Sequence, residues 1–198
     1  MKVFSLVTAF VTTSLLSAAL SAQDHLYIDV HHMEPGKVTY AAVQDAHKKD
    51  LAIEKKFGVH FIKFWVDEKK GNVYCLSTAP DSLSVRHTHA LAHGLLPDQV
   101  FQVTTGADAP AKKGMDYYLD IHELGAGNVT PQAVAKVHKK DLAVQGKYGV
   151  NLINYWVDVK DGRVLCLSQA PDSSAMLNTH KEAHGMMPVS IEKVKQGN

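Results

Sequence analysis

The sequence is poor in several features that define whole classes of protein. Only two of its 198 residues are cysteine, too few for a scaffold built on disulfides. The formal charge of +1 reflects mixed acidic and basic residues without a basic stripe or tail, so we do not expect a nucleic-acid partner. After residue 22 no apolar run approaches the length of a membrane span, and we do not expect a membrane-embedded protein.

The chain also lacks the short motifs of several enzyme classes. It contains neither a glycine-rich phosphate loop nor a dinucleotide-binding fingerprint. A serine nucleophile motif is missing as well. Hydrolysis through a serine triad and nucleotide chemistry are therefore not expected.

Residues 1–22 have the pattern of a signal peptide. Lys2 provides a positive charge, an apolar run follows from Val3 to Leu20, and small residues surround Ser21 and Ala22. Serine and threonine residues interrupt the run, which makes it weak for a membrane span. We predict cleavage near Ala22 and a mature protein that is periplasmic or secreted.

The remaining chain consists of two copies of one segment. Residues 26–103 align with residues 117–194 at a constant offset and without a gap, and roughly half of the aligned positions are identical. Residues 104–116 between the copies are rich in glycine, alanine, proline and lysine, as in a linker. We therefore predict two tandem domains of the same fold.

Each copy predicts the same order of helices and strands. In the first copy a strand at Leu26–His32 precedes a helix that Thr39 caps and Gly58 ends. Strands at Val59–Asp67 and Asn72–Ala79 form a hairpin, and a second helix and a last strand follow. The order βαββαβ predicts an α+β protein of two ferredoxin-like domains. We expect their sheets to pack together as a pseudo-dimer.

Histidine is the unusual residue of this chain, with 12 copies. Four of them, His25, His32, His60 and His87, have no counterpart in the other copy, and we expect them to be surface residues. The other eight occupy equivalent positions of the two copies although half of the sequence has diverged. These pairs are His31 with His122, His47 with His138, His89 with His180, and His93 with His184.

Several paired histidines share one face of an element with a carboxylate. Asp29 and His31 are two residues apart on the first strand, so both point to the same side. His47 and Asp50, at i and i+3, lie on the inward face of the first helix. In metal sites such a carboxylate is either a ligand or the group that orients a ligand's ring. The second copy repeats both carboxylates as Asp120 and Asp141.

The second helix carries His89 and His93 one turn apart, a ready bidentate site for a divalent ion. Alternatively, these histidines pack in the core or complement the helix dipole. Cys75 and its counterpart Cys166 allow three interpretations: a small buried hydrophobe, a metal-binding thiolate, or a disulfide between the copies. Because all these residues recur in both copies, a metal site is favoured over simple packing.

Five motifs occur in the same order in the first copy: Asp29-Val-His31, AHKKDLA, Trp65-Val-Asp67, VYCLSTAPD and His89-x-x-x-His93-Gly. Together they resemble the small nickel-binding-protein family, and the resemblance covers nearly all of both copies. It implies a ferredoxin-like fold and bound nickel, with the family's dimer formed here within one chain. The candidate metal ligands that it implies are His31, His47, Cys75, His89 and His93, with His122, His138, Cys166, His180 and His184 in the second copy.

We therefore expect an exported protein that binds a divalent transition metal, nickel by resemblance, for sequestration or delivery. Copper or zinc would also suit such ligands. The alternative is a small-molecule enzyme, an isomerase or oxygenase that uses a cavity lined by histidine and aspartate. A binding protein would hold stoichiometric metal, whereas an enzyme would turn over a substrate.

Overall fold

The computed structural model describes residues 24–106 and 108–198, and the predicted signal peptide lies outside the described residues. Both repeats contain the predicted order βαββαβ. The first repeat consists of β1 (His25–His32), α1 (Tyr40–Ile53), β2 (His60–Asp67), β3 (Asn72–Ala79), α2 (Ser82–Ala92) and β4 (Gln99–Thr105). The second consists of β5 (Asp116–Glu123), α3 (Pro131–Val144), β6 (Asn151–Asp158), β7 (Arg163–Ala170), α4 (Ser173–Ala183) and β8 (Ser190–Gly197). A turn of 3-10 helix follows α1 and α3, at Glu54–Phe57 and Gln145–Tyr148.

Local signals set the ends of the helices. Thr39 Oγ1 accepts a hydrogen bond from the backbone N–H of Ala42 at 3.2 Å, and Asp81 Oδ1 accepts one from that of Ser84 at 2.7 Å. Both bonds satisfy a helix N-terminal donor that has no partner within the helix. Gly58 ends the first helical stretch with a left-handed φ of 68°. The predicted Thr39 cap and Gly58 stop are confirmed.

The eight strands close into one barrel with the order β1-β3-β2-β8-β5-β7-β6-β4. Strand β4 pairs with β1 of its own repeat and with β6 of the other repeat. Strand β8 pairs in the same way with β5 and β2. Because the last strand of each repeat joins both sheets, the described strands close without a free edge. The prediction of two ferredoxin-like domains packed as a pseudo-dimer is confirmed.

Strand β4 reaches beyond the end of the predicted repeat. Thr104 and Thr105, placed in the linker by the sequence, pair with Val157 and Trp156 of the second repeat. Their strand conformation comes from this pairing between repeats, which local composition does not show.

The barrel interior holds an apolar core shared by both repeats. Trp65 and Trp156 lie at its centre, with ring centroids 5.0 Å apart and planes inclined by 52°. Both side chains are almost fully buried. An inclined aromatic pair of this kind contributes beyond its buried area. The two tryptophans therefore anchor the core that the repeats share.

One barrel interface is polar. Glu192 of β8 is buried and accepts hydrogen bonds from Tyr74 Oη at 3.0 Å and Asn72 Nδ2 at 2.9 Å, and Lys70 Nζ lies 3.3 Å from its carboxylate. All three partners belong to the first repeat. The equivalent position of the first repeat is Phe101. The two interfaces between the repeats therefore differ chemically although the backbone arrangement is repeated.

The helices pack in pairs, α1 with α2 and α3 with α4, and each pair also packs against strands of its own repeat. The space between a helix pair and its strands holds the repeated histidines. Within residues 24–106 and 108–198, no helix has both the length and the apolar character needed to cross a membrane.

Candidate metal centre

Each repeat brings its repeated histidines and aspartates into one buried group. In the first repeat β1 supplies Asp29 and His31, α1 supplies Asp50, and α2 supplies His89. His93 is the residue at which α2 ends. Less than a tenth of each of these five side chains is exposed. The alternation of β1 and the one-turn spacing of α2 place all five on facing surfaces.

Asp50, His89 and His93 form a compact triangle. His89 Nδ1 lies 3.1 Å from Asp50 Oδ1, and His93 Nε2 lies 3.2 Å from the same oxygen. The two ring nitrogens are 3.2 Å apart. Two imidazoles from one helix thus converge on a carboxylate from the neighbouring helix.

The dimensions of this triangle fit a metal ion. Metal–nitrogen and metal–oxygen bonds of about 2.1 Å separate adjacent ligand atoms by about 3.0 Å at a right angle and about 3.4 Å at the tetrahedral angle. All three separations in the triangle lie in this interval. Without an ion, at most one hydrogen atom can lie between the two nitrogens, so a shared cation would satisfy the three groups better.

Asp29 is a second, fully buried carboxylate. Its Oδ1 lies 3.2 Å from His31 Nε2 and 3.4 Å from His89 Nε2. Neither contact has hydrogen-bond geometry, so both Asp29 oxygens and His89 Nε2 are buried without a hydrogen-bond partner among the residues that the structure describes. A buried carboxylate in this state needs a cation close by. His89 lies between the carboxylates of Asp29 and Asp50, with Nε2 facing Asp29 and Nδ1 facing Asp50.

Two opposing effects set the pKa values in this network. Burial disfavours the charged forms, and attraction between opposite charges favours them. Burial raises the pKa of Asp29, but His31 and His89 outweigh it and lower that pKa to about 2. Burial likewise disfavours the charge on His89, yet Asp29 and Asp50 raise its pKa to about 10. In the metal-free protein at pH 7, His89 is therefore an imidazolium ion between two carboxylates. A metal ion at this position would compete with its proton.

The second repeat has the same arrangement. Asp141 Oδ1 lies 3.1 Å from both His180 Nδ1 and His184 Nε2, and the two nitrogens are 3.3 Å apart. Asp120 lies 3.1 Å from His122 Nε2 and 3.5 Å from His180 Nε2, again with both oxygens lacking a hydrogen-bond partner. Against the effect of burial, the two carboxylates raise the pKa of His180 to about 10.

Cys75 and Cys166 are both free and buried, so the disulfide interpretation is wrong. Cys75 lies opposite Asp29 on the neighbouring strand, and its sulfur falls within 4.8 Å of donor atoms of Asp29 and His31. Cys166 joins no such group in the part of the chain that the structure describes. Burial, and then the nearby carboxylates, raise the pKa of both thiols well above the usual value. Both residues are neutral thiols in the metal-free protein.

His47 and His138 lie beside the donor triangles and not among them. The ring of His47 packs 4.9 Å from that of Phe64, and that of His138 packs 4.8 Å from Tyr155. His47 is 4% exposed, and its Nδ1 has no hydrogen-bond partner. Burial lowers the pKa of both histidines, so both are neutral at pH 7.

A cavity opens beside each triangle. In the first repeat it measures about 370 Å³ and in the second about 130 Å³. The walls of the larger cavity include Glu34 and Lys37, which the pattern of repeated histidines did not single out. A comparison of the two copies could have identified Glu34 and Lys37, because Gly125 and Asn128 occupy the equivalent positions of the second copy.

The four histidines without a counterpart lie away from these groups. His32, His60 and His87 are exposed, and His25 is partly exposed. None of the four is a member of a donor cluster. The prediction that they are surface residues is confirmed.

The comparisons with known proteins agree with this division into two repeats. A family model described as nickel-responsive protein SCO4226-like matches residues 27–103 and 118–194. The crystal structure of SCO4226 from Streptomyces coelicolor A3(2) is 36% identical, and the match covers 41% of this chain and 99% of that protein, with a TM-score of 0.39. SCO4226 thus corresponds in length to one repeat. No curated protein matches this chain.

A more distant structure resembles both repeats together. Chlorite dismutase from Candidatus Nitrospira defluvii, solved in complex with imidazole, has a TM-score of 0.52. The match covers 88% of this chain and 91% of that enzyme at 7% identity. At this identity the likeness shows a shared fold alone.

Proposed function

The chain belongs to the SCO4226-like family, and we propose that it is a metal-binding protein in which each repeat holds one divalent transition-metal ion. In the first repeat Asp50, His89 and His93 would hold the ion, with Asp29 and His31 next to it. In the second repeat the equivalent groups would do so. The bound ion would be the cargo of the protein, held for sequestration or delivery.

The observation that carries this proposal is the donor triangle, present twice with separations of 3.1 to 3.3 Å. Structural packing alone would not require two imidazoles and a carboxylate to converge at ligand spacing. Asp29 and Asp120 give further support: when the ion displaces a proton from His89 or His180, each buried carboxylate is left beside a neutral imidazole, and the divalent cation would then compensate its charge.

Nickel is the ion that we propose, on the strength of the family description. Imidazole nitrogen and carboxylate oxygen suit borderline divalent ions, so the donor set is compatible with it. Copper and zinc fit the same donors, and copper binds such sites more tightly in general. The neutral Cys75 thiol would become a ligand only if the ion displaced its proton to solvent.

Metal analysis tests the proposal. The mature protein, purified without a histidine tag, is analysed for bound metal and then titrated with nickel, copper and zinc. We expect two ions per chain for the wild type. The variant His89→Ala with His93→Ala should keep one ion, and so should His180→Ala with His184→Ala. All four substitutions together should abolish binding.

A matched control uses histidines outside the clusters. The variant His32→Ala with His87→Ala removes the same number of imidazoles from the exposed surface and should still bind two ions. Bound nickel should also raise the free energy of unfolding, by about 2.7 kcal/mol for each occupied site at a free concentration of 100 times Kd. Unchanged stoichiometry in the four-alanine variant would refute the assignment of the ligands.

We propose in addition that the protein is exported to the periplasm or secreted. The support is the sequence of residues 1–22 alone. Expression of the full chain in a bacterial host, followed by fractionation and mass measurement, tests this. A periplasmic product that begins near Gln23 is expected, and a cytoplasmic product that retains Met1 would contradict it.

A further inference from the structure

The two cavities differ more than the repeats that form them. Ala46 lines the larger cavity, and Val137 at the equivalent position lines the smaller one. Tyr155 also lines the smaller cavity, where the first repeat has Phe64. These larger side chains are consistent with the fall in volume from about 370 to about 130 Å³. Pockets for small organic ligands measure about 300 to 1,000 Å³, so only the first cavity is large enough for such a ligand.

The wall of the larger cavity is mostly apolar apart from the buried donor groups, and it also carries two exposed charges. Met33, Val38 and Val43 belong to the wall, together with two exposed residues of opposite charge, Glu34 and Lys37. Glu34 and Lys37 belong to one tight turn, in which the Lys37 N–H donates to the Glu34 carbonyl at 3.0 Å. An acidic and a basic residue of one turn therefore both line the cavity.

The second repeat has lost both charges. Gly125 replaces the acid, and Asn128 replaces the lysine. The Asn128 side chain donates to the Leu124 carbonyl at 2.8 Å, so its hydrogen bond stabilises the local turn. Charge and volume therefore change together between the repeats.

One polar atom beside the larger cavity has no partner among the described residues. Nδ1 of His47 is buried without a hydrogen-bond partner, and the residue lines the cavity. A buried imidazole nitrogen in this state costs free energy that a partner would recover.

We propose that the cavity of the first repeat binds a free α-amino acid with an apolar or aromatic side chain. Its carboxylate pairs with Lys37, its ammonium group pairs with Glu34, and its side chain enters the apolar cavity towards His47. The second repeat holds a metal ion alone. This inference deepens the proposed function, because the cavity and the donor cluster of the first repeat share His31, Asp50 and His93.

Calorimetric titration with L-phenylalanine tests the proposal on the mature protein, both metal-free and loaded with nickel. We expect one binding site per chain. Phenylacetate lacks the ammonium group and phenethylamine lacks the carboxylate, so each should bind about two- to fivefold more weakly, the usual effect of one exposed ion pair.

Two substitutions of matched size locate the site. Ala46→Val gives the first cavity the residue of the second and should weaken phenylalanine binding at least tenfold, while nickel stoichiometry stays the same. Val137→Ala makes the reverse change in the second repeat and should leave phenylalanine affinity unchanged. Lys37→Asn changes only an exposed residue and should reduce the preference for phenylalanine over phenethylamine.

The outcomes separate this inference from the proposed function. Nickel binding without any phenylalanine binding overturns the inference and leaves the metal proposal standing. Phenylalanine binding without nickel binding overturns the metal proposal and leaves the amino-acid site standing. Binding that is insensitive to Ala46→Val, or two equal sites per chain, would overturn the assignment to the first cavity.

Discussion

The stability of the metal-free protein should fall as the pH rises from 7 to 8.5. His89 and His180 have folded-state pKa values of about 10, against an ordinary value of 6.5. A histidine whose pKa is higher in the folded state than in the unfolded state stabilises the fold fully below its unfolded pKa. This stabilisation is lost as the pH rises through the interval between the two values.

The size of the effect follows from these pKa values. Each pH unit in the interval removes about 1.4 kcal/mol per histidine, so the change from pH 7 to 8.5 costs about 2 kcal/mol per repeat. For both repeats the loss is about 4 kcal/mol, a large part of the 5 to 15 kcal/mol that is typical of a whole domain. The lowered pKa of Asp29 arises from the same contacts, so no separate contribution of Asp29 is added to this total.

Urea unfolding in the presence of a chelator measures this loss at several pH values. Between pH 7 and 8.5, the ionisation of the other buried groups contributes little to the change in stability. His47 and His138 have lowered pKa values, so their ionisation changes the free energy of unfolding mainly below pH 6.5. The two cysteines have an ordinary pKa of 9.0, so their ionisation in the unfolded state lowers the stability at pH 8.5 by only about 0.2 kcal/mol each.

A matched variant, His89→Gln with His180→Gln, removes the titrating groups and should show little change across the interval. If the wild type has the same stability at pH 7 and pH 8.5, the protonated imidazole between two carboxylates is not the state of the metal-free protein.

Three further predictions concern the barrel and the cysteines. Trp65→Ala should lower the free energy of unfolding by about 3 to 5 kcal/mol in urea titration, and a loss under 1 kcal/mol would show that the tryptophan pair is not a central anchor. Glu192→Leu leaves the Tyr74 hydroxyl unpaired and should cost about 1 to 3 kcal/mol, whereas Tyr74→Phe combined with it should recover part of that loss; no recovery would contradict the buried hydrogen bond. Cys75 and Cys166 should resist a thiol-specific disulfide reagent in the native metal-free protein and react in urea, because burial keeps them as neutral thiols; rapid native reaction would count against this.

The histidine clusters show where sequence patterns stop being informative. The pattern placed His89 and His93 on one face of a helix, and the structure has them there. It identified Asp50 as a ligand or as a group that orients one, but the approach of α1 to α2 puts Asp50 at a corner of the donor triangle. His47 recurs in the repeat as faithfully as His89, yet it belongs to no donor group among the described residues. Repetition in sequence therefore indicated which residues matter without showing which of them meet.

The sequence by itself determined the two copies, their βαββαβ order and the residues that could bind metal. These features rest on short-range physics: alternation along a strand, the periodicity of a helix, and caps such as Thr39 and Gly58. Tertiary structure alone decided that β4 and β8 join both sheets into one barrel, and that one cavity is nearly three times the volume of the other. These outcomes depend on side chains that are distant in sequence, such as Tyr74 and Glu192, because strand closure and packing bring them together only in the folded chain.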